Sequence, residues 1–202
     1  MADKIDRRQV RTKQLLRKAL LESIEEKGVG GITVTDITNR ADVNRGTFYL
    51  HYQDVPDMLE QIKDEVYEQI KGHVTHFNFK ELSECAVKDI PYPLSVQIFE
   101  QLSIHADFLK VMFGTNGDFS YAYRYKKLLA DQFFNKFNFL QPQDEKMLIP
   151  RDYLIAYMSS ANFGILMHWL ESGMKQTPEQ MGKIMAQMIY YGPIISSGLI
   201  GK

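Results

Sequence analysis

Residues 33–52 read T-V-T-D-I-T-N-R-A-D-V-N-R-G-T-F-Y-L-H-Y, and this stretch decides the fold. It opens with Thr33, a favourable N-cap residue, and Asp36 follows three residues later as the second member of a capping box. Apolar side chains then recur at helical spacing at Val34, Ile37 and Ala41. The pattern predicts a short helix with one buried side, ending near Asp42 and Val43.

A second helix is predicted directly after this turn. Asn44 is its N-cap, and the helix is expected to continue as far as Tyr52. Val43 and Phe48 can serve the core, which leaves an outward face that contains no acidic residue. That face consists of Arg45, Thr47, Tyr49 and His51. It suits an acidic, hydrogen-bonding partner, and a helix-turn-helix places such a second helix in the DNA major groove.

The segment R-G-T-F-Y-L-H-Y, together with T-V-T-D-I-T-N-R-A-D-V-N before it and Q-D-V-P-D-M-L after it, resembles the DNA-binding domain of the TetR family of transcriptional regulators. The resemblance covers about residues 9–70, including the flanking helices. Three positions depart from the family pattern: Asp42 stands where glycine is usual, Asn44 where serine is common, and Val55 where a phosphate-contacting lysine is frequent. The alternative is a structural helical hairpin with no role in DNA binding.

The candidate DNA contacts follow from this motif. Arg45 lies at the start of the second helix, where its guanidinium can bind guanine O6 and N7. Thr47 can contact a base, whereas Tyr49 and His51 are placed for phosphate oxygens. The full set of expected DNA-binding residues is Thr33, Thr35, Asn44, Arg45, Gly46, Thr47, Tyr49, His51 and Tyr52.

Charge is distributed unevenly along the 202 residues. The total formal charge is −1, but residues 1–52 hold ten Lys/Arg and seven Asp/Glu, a net charge of +3 that leaves −4 for the remainder. A basic end on an acidic body is the electrostatic pattern of a DNA-binding head. The first half of the first helix, predicted over about residues 8–27, contributes most of that charge and is a second candidate phosphate contact.

Composition limits the remaining classes of protein. Hydrophobic residues make up 45% of the chain, which is ordinary for a globular protein, and no apolar run approaches the roughly 20 residues of a membrane span. The N-terminus has no apolar signal region, and Cys85 is the single cysteine, so a reducing cytoplasm is expected. We therefore expect no membrane partner.

Helical patterns continue to the C-terminus, and the sequence predicts an all-α fold of about nine helices. The expected division is a three-helix helix-turn-helix head in residues 1–52, a linking helix in residues 54–71 and a body in residues 73–202. Among the predicted starts are Asp118, an N-cap, and the strong signal Thr177-Pro178-Glu179-Gln180. Residues 72–93 are predicted to be less regular.

The rest of the chain contains residues that suggest two kinds of site. His73, His76 and Cys85 could suggest a metal, but no fourth ligand follows at motif spacing, so neither a metal nor another cofactor is expected. Resemblance to TetR regulators implies an apolar inducer pocket in the body, built from large adaptable side chains with a few polar groups. The candidate lining is Phe99, Phe108, Met112, Phe113, Tyr125, Phe133, Tyr157, Asn162 and His168.

The last two long helices carry apolar residues on more than one side. A helix with two apolar faces needs two packing partners. The second partner is expected to be the same surface of another copy of the chain, which gives a homodimer. A charge placed at Met185 or Met188 is expected to split that dimer. The resulting hypothesis is a repressor released from a palindromic double-stranded operator by a small-molecule inducer. The alternative is a constitutive dimeric DNA-binding protein without a ligand, and no catalytic motif favours an enzyme.

Overall fold

The computed structural model describes residues 7–74 and 76–199, and the regular structure in those ranges is entirely helical. The ten α-helices are α1 (Arg7–Lys27), α2 (Val34–Ala41), α3 (Arg45–Tyr49), α4 (Val55–Val74), α5 (Phe79–Lys88), α6 (Pro93–Ile104), α7 (Ala106–Phe113), α8 (Phe119–Leu140), α9 (Arg151–Glu171) and α10 (Pro178–Ser196). The all-α prediction is confirmed. The helix beyond the expected nine is α5, which is capped by Asn78 in the stretch predicted to be less regular.

Local hydrogen bonds explain why α2 and α3 form. The backbone N–H of Asp36 donates to the Thr33 hydroxyl at 3.1 Å, and the N–H of Thr33 donates to the Asp36 carboxylate at 2.9 Å. Asp42 then adopts a left-handed conformation, and the Asn44 side chain accepts from the N–H of Gly46 at 3.0 Å. The helix α3 ends at Tyr49, three residues before the predicted end, and Leu50 is its C-cap.

The chain divides into two compact units, and the first comprises Met1–Val66 and Asp107–Tyr121. In this unit α1 packs against α2, and α2 against α3. Large side chains that are fully buried form its core, namely Leu16, Leu20, Ile24, Ile37, Phe48, Met58, Phe108 and Leu109. The predicted body began at residue 73, so the inclusion of residues 107–121 in this unit was not anticipated. Residues 1–6 and 200–202, the outer ends of the predicted head and body, lie outside the described residues.

A buried ion pair joins α4 to the start of α8 within this unit. The Lys63 Nζ donates to the Asp118 carboxylate at 2.8 Å, and Tyr121 donates its hydroxyl to the Lys63 carbonyl at 2.8 Å. Asp118 also caps α8, as predicted, because its carboxylate accepts from the N–H of Ser120 at 2.9 Å. Burial acts to raise the pKa of Asp118, but the hydrogen bonds from Lys63 and Ser120 outweigh it and hold that pKa at about 2.

Two other contacts in this unit limit what its residues can do. The Arg17 guanidinium lies over the Phe108 ring, 5.1 Å from its centre, and burial lowers the pKa of Arg17. Arg17 therefore has a structural role rather than the phosphate contact that the basic first half of α1 predicts.

Gly117 has no room for a side chain, because a Cβ atom there would lie 2.2 Å from the Met112 carbonyl oxygen.

The second compact unit comprises Tyr67–Ala106 and Ala122–Lys202. Here α10 packs closely against α6 and α5. The packing is tight at Gly182, where a Cβ atom would lie 2.6 Å from a methyl group of Val96. Trp169 contacts Phe99 edge-on, with 4.9 Å between ring centres, and donates its indole N–H to the Gln176 carbonyl at 2.9 Å.

The boundaries of α10 have clear local causes. It begins with the predicted capping box, in which the Thr177 hydroxyl accepts from the N–H of Gln180 and the Gln180 side chain accepts from the N–H of Thr177. A kink follows at Gly192, whose φ is 67°, immediately before Pro193.

Across the described part of the chain, no helix is both long enough and apolar enough to cross a bilayer.

Candidate nucleic-acid interface and apolar cavity

The outward face of α3 presents donors and contains no carboxylate. Arg45 and Gly46 are exposed, Tyr49 is 51% exposed, and Thr47 and His51 are half-buried. The Arg45 guanidinium lies 3.4 Å from the Tyr49 hydroxyl, and among the described residues no acidic side chain forms an ion pair with it. The face can therefore offer most of the Arg45 donors to an acceptor on a partner.

A polar cleft lies beside this face, between the start of α1 and α3. It is lined by Arg8, Gln9 and Thr12 from α1, by Thr47 and His51, and by the apolar side chain of Leu50. Arg7, Arg11 and Lys13 are exposed on the same end of α1. Positive and hydrogen-bonding groups converge here in the way that binding of phosphate oxygens requires. The contribution of Gln9 and Thr12 was missed because uncharged polar residues on a helix surface give no distinctive sequence pattern.

Three expected DNA contacts occupy different environments. Thr35 is exposed, as an intermolecular contact requires. The Thr33 hydroxyl is already used, because it donates to the Asp36 carboxylate at 2.7 Å. Tyr52 is only 6% exposed and its ring lies 5.7 Å from that of Phe48. Tyr52 therefore has little surface to offer to DNA, because it follows the buried Phe48 by four residues and its N–H donates to the Phe48 carbonyl at 3.0 Å.

The second compact unit contains an apolar cavity of about 100 Å³. Five helices wall it, and each contributes apolar side chains: Val74 of α4, Leu102 of α6, Leu129 of α8, Leu166 of α9 and Met185 of α10 are examples. Three uncharged polar residues, Ser95, Gln132 and Asn162, also line it. The Asn162 amide donates to the Met158 carbonyl at 2.7 Å, which fixes its orientation.

Three of the nine candidate ligand residues line this cavity, namely Phe99, Phe133 and Asn162. The other six candidates do not line this cavity. Phe108, Met112 and Phe113 belong to the other compact unit. Tyr125 is buried against Tyr67, with 5.4 Å between ring centres, and Tyr157 and His168 are exposed on α9.

The groups that could hold a metal are dispersed. Within the described residues, no three or more His, Cys, Asp or Glu side chains lie close enough to share an ion. Cys85 is buried in a small cluster with Leu82 and Ala86, where burial raises the pKa of its thiol.

Models of known protein families match two regions of the chain. Residues 16–62 match the model of bacterial regulatory proteins of the tetR family, and residues 89–191 match that of a transcriptional regulator C-terminal region of TetR type. The chain belongs to the TetR family. The helix-turn-helix of α2 and α3 lies within the residues that match the tetR family model.

Relatives of this TetR-family chain are distant. An uncharacterized HTH-type transcriptional regulator, YxbF, of Bacillus subtilis (strain 168) is 26% identical over 186 residues, which are 92% of this chain and 46% of that protein. The chain thus spans about half the length of this curated relative. A TetR transcriptional regulator from Streptococcus agalactiae shares the fold with a TM-score of 0.58 and 22% identity, over 91% of this chain and 96% of that one. The fatty acid degradation regulator FadR from Bacillus halodurans has a TM-score of 0.56 and 15% sequence identity, over 90% of this chain and 95% of that one.

The structure accounts for two of the departures from the TetR pattern. Asp42 has a φ of 52° at the end of α2, a left-handed conformation that glycine adopts most easily and that Asp tolerates better than most residues. Val55, at the start of α4, is 6% exposed and belongs to the core. The position where other members carry a lysine for phosphate is thus used here for packing.

Proposed function

We propose that the chain is a homodimeric repressor that binds a palindromic operator and is released from it by a small-molecule inducer. The observation that carries this proposal is the exposed, acid-free face of α3, with Arg45 at its N-terminal end. In this docking Arg45 and Thr47 contact base edges. Tyr49, His51 and the backbone at Gly46 contact phosphates, as do Thr35 and the start of α1.

The dimer is assigned to the exposed side of α9. The residues Tyr153, Tyr157, Ser160, Gly164 and His168 follow one another at spacings of three or four and are all exposed. The opposite side, including Ile155, Leu166 and Trp169, is buried. The tyrosines supply apolar area, while Ser160 and Gly164 permit a close approach of two helices about a two-fold axis.

The half-buried Met188 and the exposed Tyr190 and Ile194 of α10 extend this proposed interface. Met185 does not belong to it, because its side chain is buried and lines the cavity. A charge at Met185 would therefore disturb the fold of the second unit rather than separate two subunits, and the interface is better tested from α9.

The proposed inducer site is the apolar cavity, with α4 as the connection to DNA. The C-terminal end of α4 carries Val74, which lines the cavity, while its N-terminal end carries Val55 and Met58 in the core of the DNA-binding unit. A ligand that favours one position of α4 would change the spacing of the two recognition helices. The coupling is reciprocal, so the operator must lower the affinity for inducer by the same factor that the inducer lowers the affinity for operator.

The proposal is tested by selecting bound fragments from genomic DNA and measuring affinity for the selected site at fixed salt. A palindromic site whose affinity falls steeply when one half-site is scrambled is expected. Failure to enrich any sequence would contradict the proposal. A thermal-shift screen of metabolites then separates an inducible repressor from a constitutive DNA-binding protein, since a ligand of the native state must raise its stability.

A further inference from the structure

The chemistry of the cavity lining limits what the cavity can bind. None of its described lining residues is Asp, Glu, Lys, Arg or His. The one ionisable group is the Tyr92 phenol, whose pKa is raised by burial and whose oxygen accepts a hydrogen bond from the N–H of Asn78 at 2.9 Å. The phenol is therefore neutral, and the lining offers no charge of either sign.

An ionised ligand group would lose its hydration in this cavity without gaining a counter-ion. Burying an unpaired charge in apolar surroundings is far more costly than burying a hydroxyl or amide that finds a hydrogen bond. The lining supplies such bonds, because Ser95 has a hydroxyl and Gln132 and Asn162 have amides. The Asn162 NH₂ donates to Met158, and its carbonyl oxygen accepts no hydrogen bond from the described residues. A ligand hydroxyl can donate to that oxygen.

The volume of the cavity places a second restriction on the ligand, which concerns its size. The cavity of about 100 Å³ is somewhat smaller than the engineered cavity of about 150 Å³ that holds benzene. The flexible Met185 side chain at its wall can adjust to a slightly larger guest. The volume suits one ring, or a short branched chain, with a single small polar substituent.

We propose that the inducer is a compact, uncharged and mainly apolar molecule, about the size of one aromatic ring, that carries a single hydrogen-bonding group directed at Asn162. This inference rests on the proposed function, because it assigns the ligand class of the same cavity. It excludes ligands whose buried part contains a carboxylate, a phosphate or an ammonium group.

Three probes that share one ring and differ in charge test the inference directly. Benzyl alcohol is neutral at neutral pH, benzoate is an anion and benzylammonium is a cation. Calorimetric titration of the DNA-free protein is expected to show benzyl alcohol binding at least about 100-fold more tightly than either ion. Equal or tighter binding of benzoate or benzylammonium would overturn the inference, and so would no detectable binding of benzyl alcohol.

Two charge-introducing variants locate the probe in the cavity. Asn162→Asp and Gln132→Glu each add a negative charge to the lining, so each is expected to raise the affinity for benzylammonium at least about tenfold over the unmodified protein. The matched control is Asn135→Asp, an exposed position of α8, which should leave all three affinities unchanged. If both lining variants bind the three probes as the unmodified protein does, the probe lies elsewhere and the inference fails.

Failure of this inference is distinguishable from failure of the proposed function. Binding to the selected operator is measured on the same preparations without any benzyl compound. Intact operator binding alongside a reversed order of probe affinities would refute the ligand class alone, whereas loss of sequence-specific binding would refute the regulator.

Discussion

The ion pair between Lys63 and Asp118 yields a quantitative prediction about acid stability. The variant Asp118→Asn preserves a side-chain oxygen that can cap α8 but removes one of the two carboxylates that bind Lys63, the other being that of Glu60. The pKa of Asp118 is lowered from 3.8 to about 2. At about 1.4 kcal/mol for each pKa unit, this shift corresponds to roughly 2 kcal/mol of unfolding free energy in favour of the charged form.

The sign of the pH dependence follows from the lowered pKa. A group whose pKa is lower in the folded state contributes fully above its unfolded value, near 3.8, and loses that contribution as the pH falls towards 2. Asp118→Asn should therefore lower the unfolding free energy by roughly 2 kcal/mol at neutral pH, and the difference from the unmodified protein should shrink to near zero at the acid end.

The assay is urea denaturation followed by helical circular dichroism across this pH range, at one protein concentration. Asp131→Asn is the matched control, because Asp131 lies on the same helix and is exposed, with no ion pair among the described residues. A constant difference between Asp118→Asn and the unmodified protein at every pH would refute the reasoning, since it would show that the loss does not depend on ionisation. An absence of any difference at neutral pH would also refute it.

Three further predictions concern close packing, the dimer and the phosphate contacts. Gly117→Ala should lower the unfolding free energy by about 3 kcal/mol in urea denaturation, because its Cβ meets backbone carbonyls, whereas Gly30→Ala, in open space, should change it little. Tyr157→Asp on the proposed α9 interface should give a monomer in sedimentation velocity, whereas Tyr123→Asp should leave a dimer, although the two tyrosines are 53% and 55% exposed. Equal sedimentation of the two would contradict that interface. Tyr49→Phe should weaken binding to all operator variants by the same factor in fluorescence anisotropy, and a change in base preference would exclude a pure phosphate contact.

Local signals explain the parts of the fold that the sequence predicts well. The capping boxes at Thr33 and Thr177 and the N-cap at Asp118 each involve residues at most three positions apart, and all three are present in the structure. The shared outward side of Arg45 and Tyr49 is also predictable, because the two residues lie four positions apart, about one helical turn.

The errors arise where a residue's environment depends on distant parts of the chain. The sequence predicts that α3 continues to Tyr52, because it contains no signal that ends the helix at Tyr49. The sequence predicts Phe108 in the ligand pocket, because an aromatic residue in a helix has the same sequence pattern whichever core it enters. Only the tertiary structure reveals that Phe108 lies under Arg17 and beside Tyr121, in the unit that contains the helix-turn-helix.

The central claim, that α3 reads base edges through Arg45, is tested most directly by measuring Arg45→Ala on the selected operator and its single-base variants at fixed salt. The account predicts a loss of about 1–3 kcal/mol on the operator and a relaxed preference at one base position of each half-site. The matched control is Arg40→Ala, which removes the same charge from a side chain that is ion-paired with Glu22 and Glu26 and should retain the base preference. Unchanged affinity and unchanged base preference in Arg45→Ala would contradict the account.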